Sequence, residues 1–173
     1  KRFPKINLHA FNDVMRISGT ELIEEISSAY HRDGIEETIV ISRSNKRVNA
    51  YNNGIRNRVL YREEELSPGD LLMITKNNYH WAGGIEDIDF LANGEFVEVV
   101  RVRRQETMYG FRFCNVLLRH NDYGVEFEAK INLDSLHTEV PGLTREQSDQ
   151  LFTAVMEDYA DISRKSARYK KVK

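Results

Sequence analysis

The run Thr38-Ile-Val-Ile-Ser-Arg-Ser-Asn-Lys-Arg-Val-Asn-Ala-Tyr-Asn-Asn-Gly-Ile-Arg56 brings together residue types that bind phosphate. An apolar, β-branched stretch, Thr38 to Ile41, turns through Ser42-Arg43-Ser44 into an amphipathic pattern. A short strand feeding a helix N-terminus is a common place to hold an anion, because the first backbone N–H groups of a helix lack intrahelical partners. Arg43, Lys46 and Arg47 add positive charge at that junction. At about 100° per residue, Val48, Tyr51, Ile55 and Val59 fall on one side and Asn45, Asn49, Asn52 and Arg56 on an adjacent stripe. Three amides and a guanidinium in line suit a sugar-phosphate backbone followed without reading bases. A solvated helix face with Ser44 as its N-cap is the plain alternative.

Other elements must position that junction. Ile6 to Phe11 alternates and reads as a short strand. Ser18-Gly-Thr-Glu21 is a capping box, followed by Leu22, Ile23, Ile26, Ala29 and Tyr30 at helical spacing. Asp33-Gly34 ends that helix, and a strand at 38–42 and a helix at 45–60 complete a β-α-β-α order. A right-handed crossover would make the two strands parallel. Two parallel strands are too few to be covered on both faces, so other strands must complete the sheet.

The texture changes at Ser67-Pro68-Gly69-Asp70, a turn with Pro and Gly at its centre. Beyond it, Leu71 to Lys76, Glu95 to Arg103, Thr107 to Leu118 and Val125 to Leu133 read as strands, with Asn93-Gly94 as a hairpin signal. Their close spacing suggests a small barrel or curled meander. The loop from Asn77 to Gly84 holds Tyr79, His80 and Trp81, which either stack on bases or form a mini-core under the loop. Thr144-x-x-Gln147 is a second capping box, and Leu151, Phe152, Val155, Met156 and Tyr159 follow it at helical spacing.

The bulk numbers narrow the function classes. A chain of 173 residues with net charge −2 is large enough for one domain or two small ones and is not basic overall, so any anion site is local. Basic residues cluster at 43–58, 101–104 and 164–173. A single cysteine, Cys114, excludes an internal disulfide and fits a reducing compartment. It lies in an apolar alternating run and reads as a buried, inert thiol. No stretch can span a bilayer and there is no signal peptide, which predicts a cytoplasmic location. The chain starts at Lys1 and stops in a basic segment, Arg164 to Lys173, which predicts a piece excised from a longer protein.

Self-sufficient catalytic signals are missing. There is no G-x-x-x-x-G-K-[ST] and no G-x-G-x-x-G. His9, His31, His80, His120 and His137 have no metal-ligand spacing with one another or with Cys114, so no metal is expected. Glu63-Glu64-Glu65 reads as solvated surface, and Asp87 with Asp89 carries no signal of an acid–base pair.

The run Ile39 to Asn52 resembles the fourth conserved motif of superfamily-one DNA helicases, most of all their RecD-like branch, including members from Bacteroides-type bacteria. Leu66 to Asn78 resembles the point where a small barrel of Src-homology-3 type enters the second RecA-like motor domain, and Phe90 to Glu95 resembles the next barrel signature. One departure is Phe96-Val97, where members often carry a second glycine after the Asn-Gly pair. The resemblance implies an α/β fold plus small β-barrel. A partial RecA-like β-α-β-α unit (1–66) would be followed by the inserted barrel (67–133) and a helical segment returning to the motor (134–173).

In function, the resemblance implies a fragment of an ATP-dependent helicase. The parent would couple ATP hydrolysis to single-strand DNA translocation and unwinding in repair or recombination, and the fragment alone would be inactive. ATP and Mg2+ would be held in the parent by upstream residues. Arg43 would be the motif arginine that reaches the γ-phosphate. Ser44, Asn45, Asn49 and Arg56 would contact single-stranded DNA, and Tyr79 and Trp81 would guide it. The alternative is a non-enzymatic nucleic-acid-binding module built on the barrel; a third reading is a protein-interaction domain. The incomplete sheet also predicts an exposed apolar edge near Ile39 to Ile41, through which the fragment self-associates.

Overall fold

The computed structural model describes residues 8, 11–81, 88–136, 138 and 142–162. The chain divides into two compact units, Lys1–Glu63 and Glu64–Lys173.

The first unit carries helices α1 (Leu22–Asp33) and α2 (Asn45–Arg58), which pack on each other. The Ser18 box forms both of its bonds: the Glu21 N–H donates to Ser18 Oγ (3.3 Å) and the Ser18 N–H to Glu21 Oε2 (2.8 Å). It closes a turn just ahead of α1 and holds the Glu21 carboxyl below its ordinary range, chiefly through the Ser18 N–H. Gly34, at φ +93°, ends α1 where a residue with a Cβ would be strained. Ser44 caps α2 by accepting from the Arg47 N–H.

The strand expected at Ile6 to Phe11 lies outside the described residues apart from Leu8 and Phe11, which are in no strand. The strand expected at 38–42 is not formed. Thr38 is tied back by its N–H to Ile35 O and by its hydroxyl to Gly34 O, and no ladder reaches the run. A strand exists only by pairing, and the described residues supply no neighbour. Ile39 and Ile41 consequently stand 83% and 85% exposed. Ile26 and Ile55 are the buried apolar side chains of this unit among the described residues.

The second unit is a curled antiparallel sheet in the order β1-β2-β3-β4, made of β1 (Leu71–Met73), β2 (Phe96–Met108), β3 (Phe111–His120) and β4 (Glu126–Asn132). The turn at Ser67-Asp70 forms as its residues predict: the Asp70 N–H donates to Ser67 O (3.1 Å), and Gly69 takes φ +82°. β1 is shorter than the expected Leu71 to Lys76. β2 is longer than expected, with irregularities between Val99 and Arg101 and between Val102 and Gln105 that bend the sheet. The strand expected at Thr107 to Leu118 is broken by a two-residue turn at Tyr109 (φ 55°) and Gly110 (φ 79°), both in the left-handed region that hairpin turns require.

The inner face, with Val97, Val99, Cys114, Val116, Leu118 and Phe127, packs with Leu66, Leu91 and Leu133 into one apolar cluster. Cys114 is fully buried, and burial pushes its thiol up. On the outer face Leu71, Glu98, Arg119 and Glu126 pair in one row across all four strands. There Arg119 bonds both Glu98 (3.2 Å) and Glu126 (2.8 Å). A 3-10 turn at Leu133–Ser135 leads toward α3 (Arg145–Asp158), which begins with the Thr144–Gln147 capping box in full. The hydroxyl of Tyr109 donates to Asp158 (2.6 Å), ties the β2–β3 turn to the end of α3, and is pushed up to about 12 by that carboxylate.

Three carboxylates clamp this unit. Asp134 accepts from the Arg112 N–H (2.9 Å) and Nε (2.7 Å), while Glu65 takes the far end of the same guanidinium (2.8 and 3.0 Å). Glu65 is therefore a structural anchor, not the purely solvated charge its sequence context suggests. Glu95 accepts from the Ala92 N–H (2.6 Å) and lies 3.2 Å from the His120 imidazole. The Asp134 and Glu95 carboxyls sit below their ordinary range, Asp134 first through the Arg112 N–H and Glu95 first through the Ala92 N–H. A depressed carboxylate pKa contributes stability above the unfolded value and loses it as pH falls through the folded value. The urea midpoint of the sheet unit is therefore expected to be lower at pH 3 than at pH 7; equal midpoints would show that these clamps do not support the fold.

Candidate nucleic-acid interface

The segment from Thr38 to Arg62 contains Arg43, Lys46, Arg47, Arg56, Arg58 and Arg62 and no acidic residue, in a chain whose net charge is −2. Its scaffold is α2, about 20 Å long at 1.5 Å per residue. Ser44 is extended (φ −152°, ψ 145°) and its side chain accepts from the third helical N–H, which aims the first turn. No acidic residue sits in that turn, so the positive end of the helix dipole reinforces Lys46 and Arg47.

Arg43, Ser44 and Asn45 are exposed at this junction, whereas Asn49 and Arg56 are half-buried. Asn45, Asn49 and Arg56 are already engaged by other groups of the protein, so a ligand would share or replace those contacts. The open polar surface of α2 is wider than the asparagine stripe and includes Lys46, Arg47, Asn52, Asn53, Asn57 and Arg58. Arg47 and Arg58 lie about 20° apart around the axis, on the far flank of the apolar stripe. Arg58 sits outside the asparagine row, and the lack of acidic residues from Thr38 to Arg62 is the sequence signal that marks it.

Tyr79 and Trp81 belong to the sheet unit. The loop that carries them is fixed by a bridge between Asn78 and Leu91, whose backbones exchange two hydrogen bonds (2.9 and 2.8 Å). Asn78 Oδ1 also accepts from the N–H groups of His80 and Trp81. Trp81 packs against the sheet core and meets His80 edge-on. Tyr79 is exposed and stacks on Phe90, with centroids 5.1 Å apart and planes at 28°. Gly83 and Gly84 of that loop, Asp87, and the basic residues from Arg164 to Lys173 lie outside the described residues.

Among the described residues, no group of three or more His, Cys, Asp or Glu side chains is placed to hold a metal ion. No helix there is long and apolar enough to cross a membrane. No protein-family model and no curated protein matches this chain.

Proposed function

We propose that this chain is part of an ATP-driven DNA motor of the RecD-like, superfamily-one type, and that α2 and the turn before it form its contact with single-stranded DNA. The observation that carries this reading is the concentration of cations and amides on a capped helix, with no acidic residue from Thr38 to Arg62. Such a surface neutralises successive phosphates and discriminates poorly among bases. The finer architecture follows the same reading: the first unit is half of a RecA-like domain, and the curled sheet is an inserted barrel of Src-homology-3 type.

ATP and magnesium would be held by residues outside this chain, which has no phosphate loop. Arg43 fits a group that reaches into a nucleotide site from outside. It is exposed, stands just ahead of a helix N-terminus, and makes no ion pair among the described residues. Bound nucleotide would supply the phosphoryl group, and Arg43 would offset the charge that develops on it.

The test is fluorescence anisotropy of a labelled oligothymidylate with this chain over a salt series. About three phosphate contacts predict a slope of log K against log salt near −2, by the rule of roughly −0.7 per contact for single strands. Arg47→Ala together with Arg58→Ala should flatten that slope by about 1.4. Absence of binding at low salt would remove the reading.

The stacked Tyr79–Phe90 pair favours a second reading, a non-enzymatic module that binds nucleic acid through the barrel. Under it, Tyr79→Ala would lower affinity and the α2 substitutions would not.

A further inference from the structure

Among the described residues, two that are not glycine take positive φ, Tyr61 at 52° and Tyr109 at 55°. Tyr109 is explained by its surroundings. It occupies a two-residue hairpin turn, and its hydroxyl is bound to Asp158. Tyr61 has no such account. It follows the wide exit of α2, where the Leu60 N–H returns to Ile55 O and the Arg62 N–H to Arg56 O. That exit needs a left-handed residue, a role that glycine fills without strain and asparagine with little. The chain has asparagine at 45, 49, 52, 53 and 57 yet places a tyrosine here. The ring is 83% exposed and, among the described residues, makes no hydrogen bond or ring contact.

A large aromatic held in a costly backbone conformation and turned out to water does nothing for the fold. Strain kept without a structural return points to function. The chemistry of the neighbours says which function. Arg56, Arg58 and Arg62 surround Tyr61 in sequence, and the acid-free stretch leads up to it from Thr38. Glu63 and Glu64 begin immediately beyond, so a favourable path for phosphates ends where this ring stands.

We infer that Tyr61 is a base-stacking residue, which receives an unpaired base at the end of the phosphate track along α2. This rests on the proposed contact of α2 with single-stranded DNA and adds to it a residue that touches bases instead of phosphates. Stacking on an aromatic tolerates any base, because every base has a π-face.

The experiment compares a short labelled oligothymidylate with an abasic strand of equal length, each titrated with the wild-type chain, Tyr61→Phe and Tyr61→Asn. Asparagine tolerates the left-handed conformation, so this variant keeps the helix exit. The expected result is a loss of roughly tenfold for Tyr61→Asn on oligothymidylate, no loss on the abasic strand, and wild-type binding of both by Tyr61→Phe. Equal binding of oligothymidylate by wild type and Tyr61→Asn, with affinity still falling steeply in salt, would overturn the stacking role and leave the phosphate contact standing. Binding of neither strand by the wild type would overturn both.

Discussion

Replacing Arg43 with alanine is expected, on the proposed motor function, to cut DNA-stimulated ATP hydrolysis by the complete protein about 10³-fold. The complete protein is the one that would join this chain to a phosphate loop. Arg43 stands between an apolar run and a capped helix N-terminus, exposed and without an ion-pair partner among the described residues. A guanidinium left open in this way needs no rearrangement to meet an anion. A loss of 10³-fold corresponds to about 4 kcal/mol of transition-state stabilisation. Arg43→Lys should recover little of it, since an ammonium lacks the planar fork that spans two oxygens. The decisive comparison is turnover with and without single-stranded DNA alongside the affinity of a fluorescent nucleotide. Lost turnover with nucleotide still bound supports the role. Unchanged turnover would take Arg43 out of the site.

The second large effect concerns stability. His120→Ala is expected to destabilise the sheet unit by about 3 kcal/mol and lower its thermal midpoint by about 10 °C or more. His120 is 0% exposed. Its Nδ1 accepts from the Asp122 N–H (3.3 Å), which leaves the ring proton on Nε2 to donate to Glu95 (3.2 Å). Tyr123 meets the ring edge-on at 4.8 Å. Glu95 in turn holds the Ala92 N–H. One imidazole thus joins the turn before β2 to the turn after β3. Truncation leaves a cavity, an unpartnered N–H at Asp122 and a carboxylate with one bond fewer. Differential scanning calorimetry of the two proteins at neutral pH checks this. A midpoint within a degree or two of wild type would mean that the turns are held by their backbone bonds alone.

Much of the local structure was legible because its chemistry is local. Ser18, Ser44 and Thr144 announce turns and helix starts through bonds spanning three residues, and all three bonds are present. Pro68-Gly69 announces its turn for the same reason. The misread elements depend on partners distant in sequence. Thr38 to Ile41 has the composition of a strand but has no neighbour to pair with among the described residues. Tyr109-Gly110 does not announce its turn, because tyrosine is a poor predictor of a left-handed residue and its anchor, Asp158, lies far along the chain. Glu65 is one charge in an acidic run, and Arg112, which holds it, is distant in sequence. Within the candidate site, the junction at Arg43 to Asn45 could be read from sequence. The engagement of Asn49 and Arg56 and the exposure of Tyr61 needed coordinates.

The sheet and the apolar run differ in what they offer to other strands. Among the described residues the sheet's outer strands are β1, three residues long, and β4, which carries Glu126, Glu128 and Lys130. Short or charged borders give an incoming chain little to extend, and they guard against open-ended growth into aggregates. Ile39 and Ile41 have no such guard, being exposed, β-branched and in no ladder among the described residues. If this protein clumps, the clumping starts there, and a charged residue at either isoleucine is the change that would keep it in solution.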